Sequence, residues 1–260
     1  MVTNVQATDM PQNVESPFSD PTRYHTDAAQ ANLRQAAFWV FLRQEIYNAF
    51  MKQRSIHFSL RRCEAFRSLS SADDSIWAHR LVVFCADVLQ YCHGPEVHTA
   101  ERWEELKAFH AQLINSLPLS FHPIHFRPTE TADQASVFAS IWYLADCHAV
   151  GAQYIELSRM LLTVYNPAIP RLGPGVMAAQ TALAGDLRKI VLRLCSIALS
   201  NEDVPPGLVT ACMGIAMCGE YFTDYDEQLA LLGVLEKVER DHGWPTEGTV
   251  ASLKGAWGRV

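Results

Sequence analysis

Apolar residues recur at spacings of three and four along most of this chain, and this periodicity restricts the fold to packed helices. The stretch 28–53 shows the pattern well. Leu33, Ala37 and Val40 fall on one helical face, and polar residues occupy the opposite face, which is typical of an amphipathic helix. No segment alternates apolar and polar residues over more than a few positions, so the sequence predicts no β-strands.

Capping residues and helix breakers set the limits of the other helices. Asp73 and Asp74 precede one periodic stretch and Gly94 follows it, as expected of a helix start and stop. The predicted helices after the first are one that runs from Ile76 until Gly94 ends it, followed by 99–117, 132–165, 177–199, 205–218, 224–241 and 246–257. The sequence therefore predicts an all-α fold, an irregular multi-helix bundle of about seven or eight helices. The helix 132–165 is apolar on more than one side, so we expect it to be the long central helix.

Length and proline content predict how the chain is organised. Its 260 residues are 49% hydrophobic, which is enough to bury a full core. Residues 1–27 are polar and contain three prolines, so we expect a disordered leader before a helical domain at 28–260. The segment 118–129 contains three prolines and two histidines and must run extended or turned. This loop divides the helical domain into the halves 28–117 and 130–260.

Charge and cysteine content exclude several classes of protein. The chain carries 21 Lys and Arg against 28 Asp and Glu, a formal charge of −7, and has no basic cluster that would follow a phosphate backbone. We therefore expect no direct contact with nucleic acid. No apolar run reaches the roughly 18 to 20 residues of a membrane span, so we expect no membrane insertion. Seven scattered cysteines, an odd number, are typical of reduced, buried thiols in the cytosol or nucleus.

Two groups of residues superficially resemble metal sites. Cys85 and Cys92 are followed by His93 and His98. However, Cys85 belongs to an apolar helix face, and no second cysteine pair follows at the spacing of a zinc site. The two histidines of the 118–129 loop have no third partner close in the sequence. The sequence therefore predicts neither a metal site nor a cofactor.

Asp146, Cys147 and His148 are adjacent polar residues in the most apolar predicted helix. Consecutive helical residues point about 100° apart, so these three cannot converge as a catalytic triad. A buried, hydrogen-bonded Asp or His that fixes helix packing is the favoured interpretation. The sequence therefore predicts no catalytic residues. An unrecognised helical enzyme built around Asp146, His148 or His93 is the last alternative.

Several long segments are similar in amino-acid sequence to one known family. Residues 36–49 have the sequence AAFWVFLRQEIYNA. The later segments are 141–148, 194–201, 205–218 and 227–245. In this order they resemble the fungal-specific transcription factor domain, the helical regulatory region of zinc binuclear cluster transcription factors. The resemblance extends over 36–257 and is strongest after Phe138.

The resemblance implies the middle and C-terminal region of a nuclear transcription regulator, with the cytoplasm as the alternative location. In that family, a zinc cluster with six cysteines contacts DNA and is followed by a basic linker and a coiled coil. This sequence has no counterpart of those parts, so zinc binding and direct DNA recognition do not carry over. We expect the chain to correspond to the C-terminal part of such a regulator, as a fragment, a truncated product or a stand-alone relative.

The favoured hypothesis is a regulatory, non-DNA-binding domain that modulates transcription through a small-molecule effector or protein contacts. A large helical domain rich in aromatic residues can enclose an apolar pocket. Because the central helix offers polar groups in apolar surroundings, the candidate ligand-binding residues are Trp142, Tyr143, Asp146, His148 and Tyr154. The alternative is a stand-alone interaction module that forms a homodimer, or a heterodimer that silences a related full-length regulator.

Overall fold

The fold is predominantly helical. The computed structural model describes residues 28–95, 98–129 and 136–258. In these ranges the α-helices are α1 (Ala28–Met51), α2 (Asp74–His93), α3 (Ala100–Ser116), α4 (Asp146–Val164), α5 (Val176–Ser200), α6 (Pro205–Cys218), α7 (Tyr225–His242) and α8 (Glu247–Ala256). The same ranges contain 310 helices at Leu60–Arg67, Leu119–Phe121 and Gly219–Tyr221 and a sheet of two short strands. The predicted all-α class is therefore confirmed.

The chain divides into two compact units, one that ends at Phe41 and one that begins at Leu42. In the first unit, the described residues form the N-terminal part of α1, where positions 33–37 are all exposed. The second unit contains the other described elements. The sequence predicted a boundary at the 118–129 loop, which differs from this boundary between Phe41 and Leu42. Residues 1–27, for which the sequence predicts a leader, lie outside the described ranges.

Local sequence explains where several helices begin and end. Thr99 precedes α3, and its hydroxyl accepts a hydrogen bond from Arg102 N at 3.2 Å. Asp224 precedes α7, and one of its carboxylate oxygens accepts from the backbone N–H groups two and three positions later, both at 3.0 Å. Helix α7 ends at Gly243, which adopts a φ of 63° that favours glycine. These capping contacts explain why the predicted limits are close to the observed ones at these positions.

Helix α4 is central in the second unit, where it packs against α2, α3, α5 and α6. Its buried face includes Leu157 and Met160. Gly151 permits close packing, since a Cβ there would lie 2.9 Å from side-chain carbons of both Leu81 in α2 and Phe121. Because α2 and α4 pack together, helices from both predicted halves share one core.

The predicted central helix 132–165 is wrong in its first part. Residues Ser140–Trp142 form strand β2, and α4 begins only at Asp146. Strand β2 pairs in antiparallel orientation with strand β1, which comprises His125–Arg127. The prediction that the chain has no strands is therefore also wrong, although the sheet is small.

Polar side chains at the C-terminal end of α5 explain why residues 139–143 are extended. Three of them accept hydrogen bonds from alternate backbone N–H groups of this segment. The contacts are Ala139 N to Ser196 Oγ at 3.0 Å, Ile141 N to Ser200 Oγ at 2.9 Å and Tyr143 N to Asn201 Oδ1 at 3.1 Å. Strand β1 pairs with the other edge, so the extended backbone is hydrogen-bonded on both sides. The acceptors lie 57 to 59 positions away, outside the range of local periodicity.

Candidate functional site

The structure does not bring the five predicted ligand-binding residues into one cavity. Trp142 and Asp146 are exposed, whereas Tyr143, His148 and Tyr154 are buried. His148 and Tyr154 both belong to α4, but they are six positions apart, so they point in different directions and lie about 9 Å apart along the helix axis. Tyr143 precedes α4 and belongs to a buried cluster that includes a side chain of α5. The predicted residues are therefore divided among several environments.

His148 connects three elements through Asp74. Its Nε2 lies 2.8 Å from Asp74 Oδ2, and Ser120 Oγ donates a hydrogen bond to Asp74 Oδ1, also at 2.8 Å. The imidazole is buried, and the ring of Phe121 packs edge-on against it with centroids 4.7 Å apart. Hydrogen bonds from His148 and Ser120 lower the pKa of the Asp74 carboxyl. The expected buried and hydrogen-bonded polar residue is thus His148, and sequence reasoning missed its partner, which lies 74 positions away.

This cluster lacks the geometry of an activated nucleophile. Ser120 Oγ donates to Asp74 rather than to His148, so the imidazole is not placed to take its proton. Cys147 is partly buried, and burial raises the pKa of its thiol, which disfavours the nucleophilic thiolate. The contacts favour a structural role in which His148 and Asp74 hold α2, α4 and the 310 helix Leu119–Phe121 together.

A second buried polar cluster joins α4 to α5. Glu156 is 5% exposed and pairs with Arg193 Nε at 2.9 Å and with Arg159 Nη2 at 2.5 Å. Burial raises the pKa of the Glu156 carboxyl, although both guanidinium groups oppose the shift. Removal of one partner from a buried ion pair leaves a costly unpaired charge. We therefore interpret this cluster as a structural connection between the two helices.

A cavity of about 520 Å³ lies between the 310 helix Leu60–Arg67, α2 and α3. This volume is within the usual range for a small-molecule site. Its polar and aromatic walls include Arg61, Arg67, Asp87, Gln90, Tyr91 and Arg102. We name it the Arg61 cavity. The residues that the sequence predicted to bind a ligand do not line it.

One wall of the Arg61 cavity is held in place by Arg67. Its guanidinium donates to both carboxylate oxygens of Asp87, from Nε at 2.8 Å and from Nη2 at 2.7 Å, and to Glu64 Oε2 at 2.8 Å. The hydrogen bonds to Asp87 raise the pKa of Arg67 further above neutrality. This bidentate pair fixes the 310 helix against α2 and leaves Arg67 and Asp87 neutralised by each other.

Among the other polar groups of the cavity, Arg61 and Gln90 are available to a ligand. Arg61 is exposed and makes no ion pair with any residue in the described ranges. Arg102 pairs with Glu105 at 2.8 Å on the surface, where both side chains are more than half exposed. Gln90 supplies a half-buried amide, and Tyr91, which is 8% exposed, supplies an aromatic wall. A guanidinium without a partner, an amide and an aromatic ring together suit an organic anion.

Sequence reasoning missed the Arg61 cavity for a physical reason. The stretch 54–72 lacks clear helical periodicity, and its 310 helix depends on Arg67 contacting Asp87, 20 positions later. The local signal was the pair of arginines at 61 and 62 in an otherwise irregular segment. Two adjacent cations do not by themselves predict a cavity.

The described residues contain neither a metal-ligating cluster nor a membrane-spanning helix. No group of three or more His, Cys, Asp or Glu side chains in these ranges is placed to hold a metal ion. All seven cysteines are free thiols, and six of them are buried. Among the described helices, none combines the length and apolarity needed to cross a bilayer.

Comparisons with known proteins do not assign the chain to a family. No family model matches the sequence, and no curated protein or solved structure matches it significantly. The resemblance over 36–257 therefore rests on the sequence segments alone.

Proposed function

We propose that this chain is a regulatory, non-DNA-binding helical domain of the fungal zinc-cluster type, which acts in the nucleus and responds to a small-molecule effector. We place the effector in the Arg61 cavity. The observation that carries the proposal is a cavity of about 520 Å³ whose exposed guanidinium, Arg61, makes no ion pair among the described residues.

The position of the cavity supports a regulatory role. A ligand there would contact the 310 helix Leu60–Arg67 on one side and α2 and α3 on the other. A ligand that binds one arrangement of these elements more tightly shifts the population toward it. The resemblance to a regulatory domain supports the class of output, and the chemistry of the walls supports a small organic anion as the input.

A reporter assay tests the proposal directly. The full chain is fused to an unrelated DNA-binding domain, and transcription from a matching promoter is compared with that of the DNA-binding domain alone. We expect the fusion to give a reporter output different from that of the DNA-binding domain alone. We expect the size of this difference to change when the fusion carries Arg61→Ala. Arg171→Ala is the matched control, because Arg171 is exposed and distant in sequence from the cavity. Output equal to that of the DNA-binding domain alone would contradict the proposal.

A second candidate function is a protein-interaction module that pairs with another copy of the chain. In the first unit, Leu33 is 71% exposed and Val40 is 65% exposed. These residues are seven positions apart on α1 and form one apolar stripe with Ala37, which is also exposed. The stripe covers only about 10 Å of helix, whereas a specific interface buries about 1,200 Å² or more. The protein-interaction module is therefore the less favoured of the two candidate functions.

Light scattering after size-exclusion chromatography distinguishes the two candidates. A dimer that Val40→Glu converts to a monomer would favour the interaction module. A monomer whose mass is unchanged by that substitution would favour the effector-responsive domain.

A further inference from the structure

Arg80 of α2 is a buried cation without a carboxylate partner. The residue is 3% exposed, and its guanidinium lies over the Trp77 ring with Cζ 4.4 Å from the ring centroid. Its Nη1 donates to the backbone carbonyl of Ser70 at 2.7 Å. Its Nε is buried and has no hydrogen-bond acceptor among the described residues. Burial lowers the pKa of Arg80, and no carboxylate offsets that effect.

Two other buried charges of the second unit, Glu45 and Glu156, are neutralised by guanidinium groups. Glu45 is 8% exposed and pairs with Arg54 at 2.7 Å. Glu156 is 5% exposed and contacts two guanidinium groups, as described above. A buried charge without a partner is unfavourable, so Arg80 is a position where an added anion would be stabilised.

Ser70 is the residue placed to carry that anion. It lies in the non-helical segment 68–73, which joins the 310 helix Leu60–Arg67 to α2, and its side chain is exposed. Ser70 Oγ is 3.5 Å from Arg80 Nη2 and accepts a hydrogen bond from Ser68 Oγ at 2.9 Å. The hydroxyl is therefore open to solvent on one side and adjacent to the buried guanidinium on the other.

We propose that Ser70 is a phosphorylation site and that Arg80 binds the resulting phosphate. A protein kinase would transfer the γ-phosphoryl group of a nucleoside triphosphate to Ser70 Oγ. The new Oγ–P bond replaces the bond between the γ-phosphorus and the bridging oxygen, the nucleoside diphosphate leaves, and the serine hydroxyl proton passes to the kinase base. The phosphate carries a charge of about −1.5 to −2 at neutral pH and supplies strong acceptors. It provides the counter-charge that Arg80 lacks.

Two carboxylates lie close in sequence and oppose the phosphate. Asp74 is already bound by His148 and Ser120. Asp73 is exposed and its charge is screened by solvent. Repulsion from this residue reduces the gain without removing it, because the contact with Arg80 is the buried one.

A phosphate at Ser70 would be a second regulatory input next to the Arg61 cavity. The segment 68–73 follows directly after the 310 helix that forms one wall of the cavity. A phosphate at Ser70 would fix this segment to α2 through Arg80 and stabilise the 310 helix in place. Binding of this phosphate by Arg80 does not require a ligand in the cavity.

The test uses the full chain with phosphoserine installed at position 70 and, as a matched control, at position 71. Ser71 is exposed in the same segment and has no hydrogen bond to Arg80. We expect the phosphate at 70 to raise the melting temperature by about 2–4 °C relative to unmodified chain. By 31P NMR titration, its second pKa should lie below that of the phosphate at 71.

Two variants relate these effects to Arg80. Arg80→Gln should abolish both the thermal gain and the pKa difference. If that variant does not fold, Arg80→Lys retains the charge and should give an intermediate phosphate pKa, because an ammonium lacks the forked donor geometry of a guanidinium. Equal melting temperatures and equal phosphate pKa values for positions 70 and 71 would overturn the proposal. So would recovery of the chain from a eukaryotic host with phosphate on other serines and none on Ser70.

Discussion

At the scale of single residues, His79 makes stability depend on pH. Burial, together with the positive charge of Arg43, lowers the pKa of His79 to about 4. In the unfolded chain a histidine titrates near 6.5. Between about pH 6.5 and 4, the unfolded state therefore binds a proton that the folded state does not, so stability falls as pH falls through this window.

We expect acidification from pH 7 to 4.5 to reduce the free energy of unfolding, with up to about 2.4 kcal/mol of the loss due to His79. His79→Gln should reduce this pH dependence, as measured by urea unfolding at both pH values. His125→Gln is the control, because His125 is exposed on β1. Equal pH dependence in the two variants would contradict the assignment.

The pair formed by His148 and Asp74 gives a second prediction at this scale. Asp74→Ala leaves the buried imidazole without its partner and should lower the free energy of unfolding by about 1–3 kcal/mol. The lower end is expected, because the Asp74 side chain is 40% exposed. Asp73→Ala is the matched control, since Asp73 is exposed and makes no capping hydrogen bond. Similar urea midpoints for both variants would show that the contact does not stabilise the fold.

Single residues also show what could and could not be predicted from local sequence. The apolar sequence around 146–148 predicted a buried polar residue that would need a hydrogen-bond partner, and His148 confirms that prediction. It did not identify Asp74, and it placed Asp146 and Trp142 in a pocket although both are exposed. Local sequence indicates that a polar residue in this stretch is buried, whereas which residue it is and which partner it has depend on how distant helices pack.

At the scale of elements, the connection between the end of α5 and strand β2 depends on the Asn201 side chain. Its Oδ1 accepts from Tyr143 N, and its Nδ2 donates to the backbone carbonyls of Ile141 at 2.9 Å and Ile197 at 2.7 Å. Asn201→Ala should destabilise the chain by about 1–3 kcal/mol and accelerate amide hydrogen exchange of the 139–143 segment. Asn48→Ala is the control, because Asn48 makes only an exposed contact within α1. Unchanged exchange at 139–143 would contradict this account of the strand.

Helix packing at two glycines gives another matched pair. A Cβ at Gly214 of α6 would lie 2.7 Å from Leu194 Cδ1, whereas a Cβ at Gly233 of α7 would meet nothing within 4 Å. Gly214→Ala should lower the free energy of unfolding by about 1–3 kcal/mol through overpacking. Gly233→Ala should raise it by about 0.5–1 kcal/mol, because alanine is the better helix former. Thermal unfolding of both variants tests the opposite signs, and a stabilised Gly214→Ala would contradict the close α5–α6 contact.

Elements could be predicted from the sequence where their signals are local. The helices that begin after Thr99 and Asp224 have capping side chains within three positions of the groups they bind. Residues 140–142 were predicted as helix because their apolar spacing fits one, but the backbone hydrogen bond that Ile141 donates to Ser200 of α5 helps to hold them extended. Tertiary hydrogen bonding outweighs local helical preference in that segment.

At the scale of the whole molecule, the packing of α2 on α4 creates the core, and the 310 helix against α2 creates the Arg61 cavity. The fold class follows from periodicity, so it could be predicted. The cavity depends on Arg67 contacting Asp87 across two elements, and the sequence pattern contains no record of that pairing. The proposed anion site at Arg61 therefore exists only in the assembled fold.

The most direct test of that claim is the thermal shift of the purified full chain with a panel of small carboxylates and phosphate monoesters at constant ionic strength. At a concentration 100 times its dissociation constant, a ligand should stabilise the chain by about 2.7 kcal/mol. We expect at least one compound to raise the melting temperature of the unsubstituted chain and of Arg171→Ala, and to have little effect on Arg61→Ala. No shift with any compound, or equal shifts in all three proteins, would contradict an anion site at Arg61.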